Sequence, residues 1–335
     1  MKKLLNQPAD YVDESLAGLC AAHPEIYQRA GESGRVIVRA APSRDGKVAI
    51  VSGGGSGHLP TFTGFVGIGL LDACAIGNVF AGPSVGDCIE AMRLAHRGAG
   101  VLRLYGNYGG DRMNFDMAGE MLELEGIRTT TVLASDDIAS APREERQKRR
   151  GVAGLVLAYK TAGARAEQQG STLEEVTAVA QKTVDATATI GVALTSCTVP
   201  EAGRPTFTIA DDEIEMGMGI HGEPGIWRGK LRSADAIAGE MLERLLADTG
   251  IGKGEQVAVL VNSLGATPLE ELYIIYRYVH RELARKGITV VLPRVGRYAT
   301  SMEMAGASIS LLRLDGELER LLRAPAICPF WSNVS

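Results

Sequence analysis

Along the first half of the chain, short apolar runs alternate with stretches of helical periodicity, and glycines cluster directly behind the runs. Val48-Ala49-Ile50-Val51 meets Ser52-Gly53-Gly54-Gly55-Ser56-Gly57-His58. Val101 to Tyr105 meets Gly106-Asn107-Tyr108-Gly109-Gly110-Asp111, and Thr129 to Leu133 meets Asp136-Asp137. Between these runs the pattern predicts helices over Val85 to Arg97 and Phe115 to Glu125. Strand followed by helix, repeated, predicts a parallel sheet with helices on its faces. Ligands of such sheets sit outside the carboxyl ends of the strands, so the three polar loops are expected to share one crevice.

Ser171-Thr172-Leu173-Glu174 has the S-x-x-E spacing in which two side chains satisfy orphan amides at a helix start. The helix it opens should run through Val176, Val179, Ala180 and Val184 and stop near Gly191. Beyond it the strand-like runs are spaced more widely: Phe207 to Ile209, Gln256 to Val261, Ile288 to Leu292 and Ser308 to Leu314, with a helix over Leu269 to Lys286. The expected division is an N-terminal α/β domain over residues 1–185, carrying the glycine-rich loops, and a mixed-sheet α/β domain over residues 186–335.

The chain has 335 residues, 45% apolar and 22% charged. With a mean hydropathy of +0.04, this excludes an intrinsically disordered chain. No run approaches the ~20 apolar residues of a bilayer span, and Met1 to Pro8 lacks the apolar centre of a secretion signal. No membrane association is expected, and a cytoplasmic location is the default. A net charge of −5 and 5% aromatic residues supply neither a phosphate-tracking surface nor stacking platforms, which argues against nucleic acid. The one basic cluster, Arg143 to Arg150, sets five cations against Glu144 and Glu145 and reads as a solvated helix face. Five cysteines (Cys20, Cys74, Cys88, Cys197, Cys328) without a C-x-x-C pair argue against a disulfide framework and against zinc, so no metal site is expected.

Gly217 to Gly222 fits G-x-G-x-x-G, but Glu213 and Glu215 precede it and Glu223-Pro224-Gly225 follows. Neither the strand nor the helix of a dinucleotide fingerprint is in place. No G-x-x-x-x-G-K-[ST] occurs, so the chain shows no nucleotide-phosphate loop of its own. His58 and His221 stand among glycines, which let a ligand approach the backbone closely. Either could act as general base, nucleophile or metal ligand, and spacing does not choose. Asp111 closes a Gly-Gly turn behind a strand, a place suited equally to a helix cap and to proton abstraction. For Asp136 and Asp137 capping is preferred to metal binding. The residues alone reach a two-domain α/β protein with His58, Asp111 and His221 as a candidate polar site for a small ligand.

Seven blocks in fixed order carry a further signal: Ser52 to His58, Asn107 to Asp111, Arg149-Arg150-Gly151-Val152-Ala153-Gly154, Ser196 to Pro200, Gly219-Ile220-His221-Gly222-Glu223-Pro224-Gly225, Asn262 to Gly265 and Thr300 to Gly306. Together they resemble the substrate-binding subunit of the dihydroxyacetone kinase family, DhaK, over essentially the whole chain. The resemblance implies a three-layer α/β/α domain with a mainly parallel sheet, followed by a two-layer α/β domain with a mixed sheet (DhaK/DegV-like), assembled as a homodimer. It implies a phosphotransferase that holds a short ketose covalently. The imidazole matching His221 adds to the ketone carbon as a hemiaminal, which selects against polyols because only the carbonyl is electrophilic. His58 is expected to hydrogen-bond the reacting hydroxyl and Asp111 to take its proton. Gly54, Gly55, Gly82 and Gly106 are expected to border the substrate, Gly55 through its backbone. Phosphoryl transfer also needs an in-line donor with metal-neutralised phosphates. In the family Mg-ATP or Mg-ADP sits on a separate subunit or fused domain, recharged in some members by a phosphoenolpyruvate-dependent phosphorelay subunit. A chain ending at Ser335 therefore predicts no cofactor of its own and a nucleotide-binding kinase subunit as partner.

Three positions depart from the family pattern. Gly-His-Glu-Pro stands here as Gly57-His58-Leu59-Pro60, a small hydroxyl residue as Gly82, and a lysine as Gly106. The two glycines are expected to vacate volume that a four-carbon ketose such as erythrulose would fill. Two alternatives follow, a kinase subunit for that larger ketose and a non-catalytic dihydroxyacetone-binding regulatory paralogue. Intact Asp111 favours an enzyme, since capture alone needs only His221.

Overall fold

The computed structural model describes residues 2–333. Its first sheet is built from β1 (Tyr27–Ala30), β2 (Val36–Arg39), β3 (Ala49–Ser56), β4 (Ala73–Val79), β5 (Val101–Gly106) and β6 (Thr129–Ala134), in the spatial order β1-β2-β4-β3-β5-β6. β3 to β6 pair in parallel, and β1 and β2 add an antiparallel edge. Strands of a parallel sheet are covered on both faces, which is why these runs are apolar throughout rather than alternating. One face packs on α1 (Tyr11–Ala22) through Leu16, and the opposite face on α2 (Val85–Ala95) and α3 (Gly109–Leu124) through Met92, Phe115 and Leu122. α4 (Leu155–Glu167) and α5 (Leu173–Ala186) join α1 on its side through Val156, Tyr159 and Val176. The result is helix, sheet, helix.

The second sheet comprises β7 (Thr187–Ala193), β8 (Glu213–Met216), β9 (Trp227–Lys230), β10 (Gln256–Ser263), β11 (Thr289–Gly296) and β12 (Gly306–Leu314), ordered β11-β10-β12-β7-β8-β9. Only β10 and β11 run parallel, so the sheet is mixed. α6 (Ala234–Thr249) and α7 (Leu269–Arg285) cover one face through Leu242, Leu245, Leu272 and Val279. The other face sends Ala258 and Leu312 into the core around α4. The chain then returns to its first half: α8 (Gly316–Arg323) and the hairpin of β13 (Ala326–Cys328) and β14 (Trp331–Asn333) place Leu318, Leu322, Cys328 and Trp331 in that same core. Among the described residues no helix is long and apolar enough to cross a membrane. All five cysteines are free thiols, four of them buried.

Several expectations are corrected. Gly53 to Gly55 lie inside β3 rather than in a loop behind it. A β-carbon at Gly53 would sit 2.5 Å from the Ala75 carbonyl, so the glycines permit close strand contact as well as ligand approach. The capping box lies one residue later: Thr172 accepts from the Glu175 amide and the Glu175 carboxylate accepts from the Thr172 amide, while Ser171 donates to the Arg165 carbonyl. Phe207 to Ile209 form no strand, and that edge of the sheet is made instead by β8 and β9. The basic cluster is not one solvated helix face. Arg143–Lys148 form a 3-10 helix, but Arg149 is buried against Asp248 at 2.6 Å and Arg150 pairs with Asp137 at 2.8 Å.

Candidate active site

The carboxyl ends of β3 and β5 supply His58, two residues beyond β3, and Asp111, in the first turn of α3. The loop between β8 and β9 brings His221 from the second sheet, and its ring centroid lies 4.8 Å from that of His58. His58 is buried, with Nδ1 2.7 Å from the Thr300 carbonyl. A carbonyl can only accept, so Nδ1 carries the proton and Nε2 keeps its lone pair. His221 is oriented in the same sense by a carboxylate, its Nδ1 lying 2.9 Å from Glu223 Oε1. Phe80 stacks on His58 at 5.0 Å and meets His221 edge-on at 5.4 Å, and Tyr108 closes the other side of His221 at 4.7 Å.

The electrostatics follow from burial. Burial, reinforced by the neighbouring His221, holds the His58 pKa down to about 3, so its ring is neutral in any ordinary buffer. Burial also pushes the Asp111 carboxyl up to about 6, against the opposing pull of His221 and of its own backbone amide. His58 Nε2 and Asp111 Oδ1 are both buried with no hydrogen-bond partner among the described residues. Leaving such atoms unpaired costs about 1–3 kcal/mol each. Two acceptors held in this way beside a nucleophilic nitrogen suit a small ligand that brings hydroxyl donors and an electrophilic carbon.

The glycines named from sequence fall around this trio unequally. Gly82 adjoins Asp111, where a β-carbon would lie 3.1 Å from Oδ1. At Gly55 a β-carbon would lie 2.7 Å from the Ala81 amide nitrogen, and at Gly54 it would strike the Phe62 ring, which packs edge-on to His58. At Gly106 the expected open volume is absent, because the Tyr108 ring edge lies 3.1 Å from where a side chain would begin. Leu59 is half exposed and lines a cavity of about 520 Å³ with Gly55, Thr61, Arg297 and Glu303, a lining in which His58, Asp111 and His221 take no part. Asp111 is not a helix cap. Asp136 takes the cap-like role, accepting from the amides of Val152 and Gly154 just ahead of α4. Asp137 instead pairs with Arg150 and accepts from the Ala139 amide.

Sequence reasoning missed Phe80, Tyr108, Thr300 and the pair Glu223 and Arg150. Glu223 stands two residues from His221 and was within reach as a hydrogen-bond acceptor for it. Thr300 is 242 residues from His58, and no local pattern connects them.

Comparison with known proteins shows the family and the fold. The Dak1 domain family profile matches residues 17–330. The PTS-dependent dihydroxyacetone kinase 1, dihydroxyacetone-binding subunit DhaK, of Listeria innocua is 44% identical over 317 residues, covering 95% of each chain. The L-erythrulose kinase of Pectobacterium atrosepticum is also 44% identical, over 333 residues that make up 98% of this chain and 56% of that longer protein. The crystal structure of the dihydroxyacetone kinase from C. freundii in complex with AMP-PNP and Mg2+ superposes with a TM-score of 0.88 at 31% identity, covering 99% of this chain and 61% of that one.

Proposed function

The chain belongs to the Dak1 domain family, and on that premise we propose that it is the ketose-binding subunit of a dihydroxyacetone kinase, a phosphotransferase. The observation that carries the reading is the pair of buried, unpartnered acceptors, His58 Nε2 and Asp111 Oδ1, set beside His221. His221 Nε2 attacks the ketone carbon and holds the sugar as a hemiaminal. His58 Nε2 accepts a hydrogen bond from the hydroxyl to be phosphorylated, and Asp111 takes that hydroxyl's proton as its oxygen attacks phosphorus. A nucleotide-bearing partner subunit delivers the phosphoryl group, with Mg²⁺ neutralising its charge. A homodimer, a cytoplasmic location and, where the donor is recharged in place, a phosphorelay subunit complete the proposal. The phosphorelay is supported by likeness to the PTS-dependent subunit of Listeria innocua.

The erythrulose kinase relative supports a second reading, a four-carbon substrate. The Tyr108 ring against Gly106 favours the three-carbon ketose, because the space beside that glycine is filled. A regulatory role without catalysis is disfavoured by the buried Asp111, whose isolation serves proton transfer and not capture.

Intact-mass measurement after incubation with dihydroxyacetone, paired with a phosphate-transfer assay in the presence of a complementing nucleotide subunit, tests the assignment. His221→Ala is expected to lose both the adduct and turnover. Asp111→Asn is expected to keep the adduct and lose turnover by roughly 10²–10⁴-fold. Normal transfer in Asp111→Asn would remove Asp111 from the role of base.

A further inference from the structure

Glu223 grips His221 twice. Its Oε1 lies 2.9 Å from the ring Nδ1, and its Oε2 accepts the His221 backbone amide at 2.9 Å. Behind the carboxylate stands Arg150, with Nη1 3.7 Å from Glu223 Oε2. Arg150 is itself fixed by Asp137, which accepts from its Nε at 2.9 Å and lies 2.8 Å from Nη2. Arg150 and Asp137 follow the first sheet, whereas Glu223 and His221 belong to the second, so the chain of charges spans the two halves of the molecule. Gly219 makes room for it: a β-carbon there would strike the Glu223 carboxylate and lie 2.6 Å from Arg150 Nη1.

Resting on the reading of His221 as the residue that captures the ketose, we propose that Glu223, clamped by Arg150, is the positioning residue that sets the His221 ring for attack and supplies the counter-charge to the cation formed. The chemistry requires both. When Nε2 forms its bond to the ketone carbon, the carbonyl π pair moves to oxygen, which takes one proton from solvent, and the ring becomes an imidazolium. Its Nδ1 proton stays in place, donated to Glu223. A charge-assisted hydrogen bond of this kind strengthens as the donor gains charge, so it stabilises the adduct more than the free enzyme. Burial alone would raise the Glu223 carboxyl, but the hydrogen bond from His221, with Arg150 behind, outweighs it and holds the carboxyl below its ordinary range. The carboxylate therefore stays ionised and leaves the proton on the ring.

The test uses the full-length protein with [2-13C]dihydroxyacetone and reads the tetrahedral carbon of the adduct by 13C NMR, alongside the 15N signals of the His221 ring. Glu223→Gln keeps an acceptor oxygen of similar size but no charge, and is expected to lower the adduct equilibrium constant by roughly 10–100-fold. Glu223→Asp keeps the charge on a shorter stem and should retain more adduct than Glu223→Gln, the reverse of the order a space-filling role would produce. Gly219→Ala leaves every titratable group in place but forces Glu223 and Arg150 aside. It should weaken the adduct and blur the Nδ1–H tautomer in the 15N spectrum. An adduct of wild-type stability in Glu223→Gln, or more in Gln than in Asp, overturns this inference alone. Absence of a tetrahedral carbon in the wild type overturns the capture reading and this one with it.

Discussion

Asp111 is useful because its burial penalises its charge. A carboxyl raised to about 6 is a stronger base than an exposed one yet remains ionised at neutral pH. Transfer requires the deprotonated form, so turnover is expected to fall about tenfold for each pH unit below 6. His58, held to about 3, stays neutral across that range and contributes no limb of its own. Gly82 offers a control. A serine there would place a hydroxyl beside Asp111 Oδ1, which now has no partner, and a donor to the ionised form stabilises it. In Gly82→Ser the acid limb of the kcat profile should move down by about one pH unit. A limb that stays in place would separate it from Asp111.

Among the elements, β3 shows how one segment serves packing and chemistry together. Its apolar start, Ala49 to Val51, is fully buried, and its glycine end brings backbone against Ala75, Phe62 and Ala81 before the chain turns to His58. Just ahead of it lies a buried ion pair: Lys47 Nζ sits 2.6 Å from Asp72 Oδ2, which also accepts the Ile50 amide at 2.9 Å, while Arg39 reaches Asp72 Oδ1 at 3.1 Å. Burial would raise the Asp72 carboxyl, but Lys47 and Arg39 outweigh it and hold it below the ordinary carboxylate range. A depressed native pKa stabilises the fold above the unfolded value, and that contribution is lost as pH falls through the native one. Asp72→Asn takes its close carboxylate from the buried Lys47, leaving it the Val48 carbonyl at 3.2 Å and Glu167 at 4.0 Å, and urea unfolding at neutral pH should show a loss of about 3 kcal/mol. The gap between variant and wild type should narrow in acid. Much at this level was legible: the strand and helix runs around Val48, Val101, Gln256 and Leu269 fall where apolar periodicity put them. The capping box missed by one residue because Ser171 and Thr172 are chemically equivalent candidates, and only the backbone path chose between them.

For the molecule as a whole, the last residues matter to the first sheet. Trp331 is 3% exposed and packs in the core that holds Leu16, Phe65 and Tyr159, and the Ile327 amide donates to the Ile68 carbonyl at 2.9 Å. A division near residue 185 therefore marks only where the strands of the second sheet begin, while the core of the first part draws on residues beyond 315. Trp331→Ala is expected to cost about 3–5 kcal/mol, measured by urea unfolding with near-UV circular dichroism. A fragment of residues 1–185 should be unstable for the same reason. Independent folding of that fragment would show that the tail is dispensable.

Amino-acid order alone was enough for the α/β class and the two successive sheets, and it singled out three polar side chains among glycines as a candidate site. These are local properties, since periodicity, glycine content and turn chemistry act over a few neighbouring residues. The proton positions on His58 and His221, the filling of the space beside Gly106, the burial of Arg149 and the clasp through Arg150 arise from groups far apart in the chain. Their chemistry is set by which atoms share a low-dielectric interior, and folding settles that only once both sheets have met.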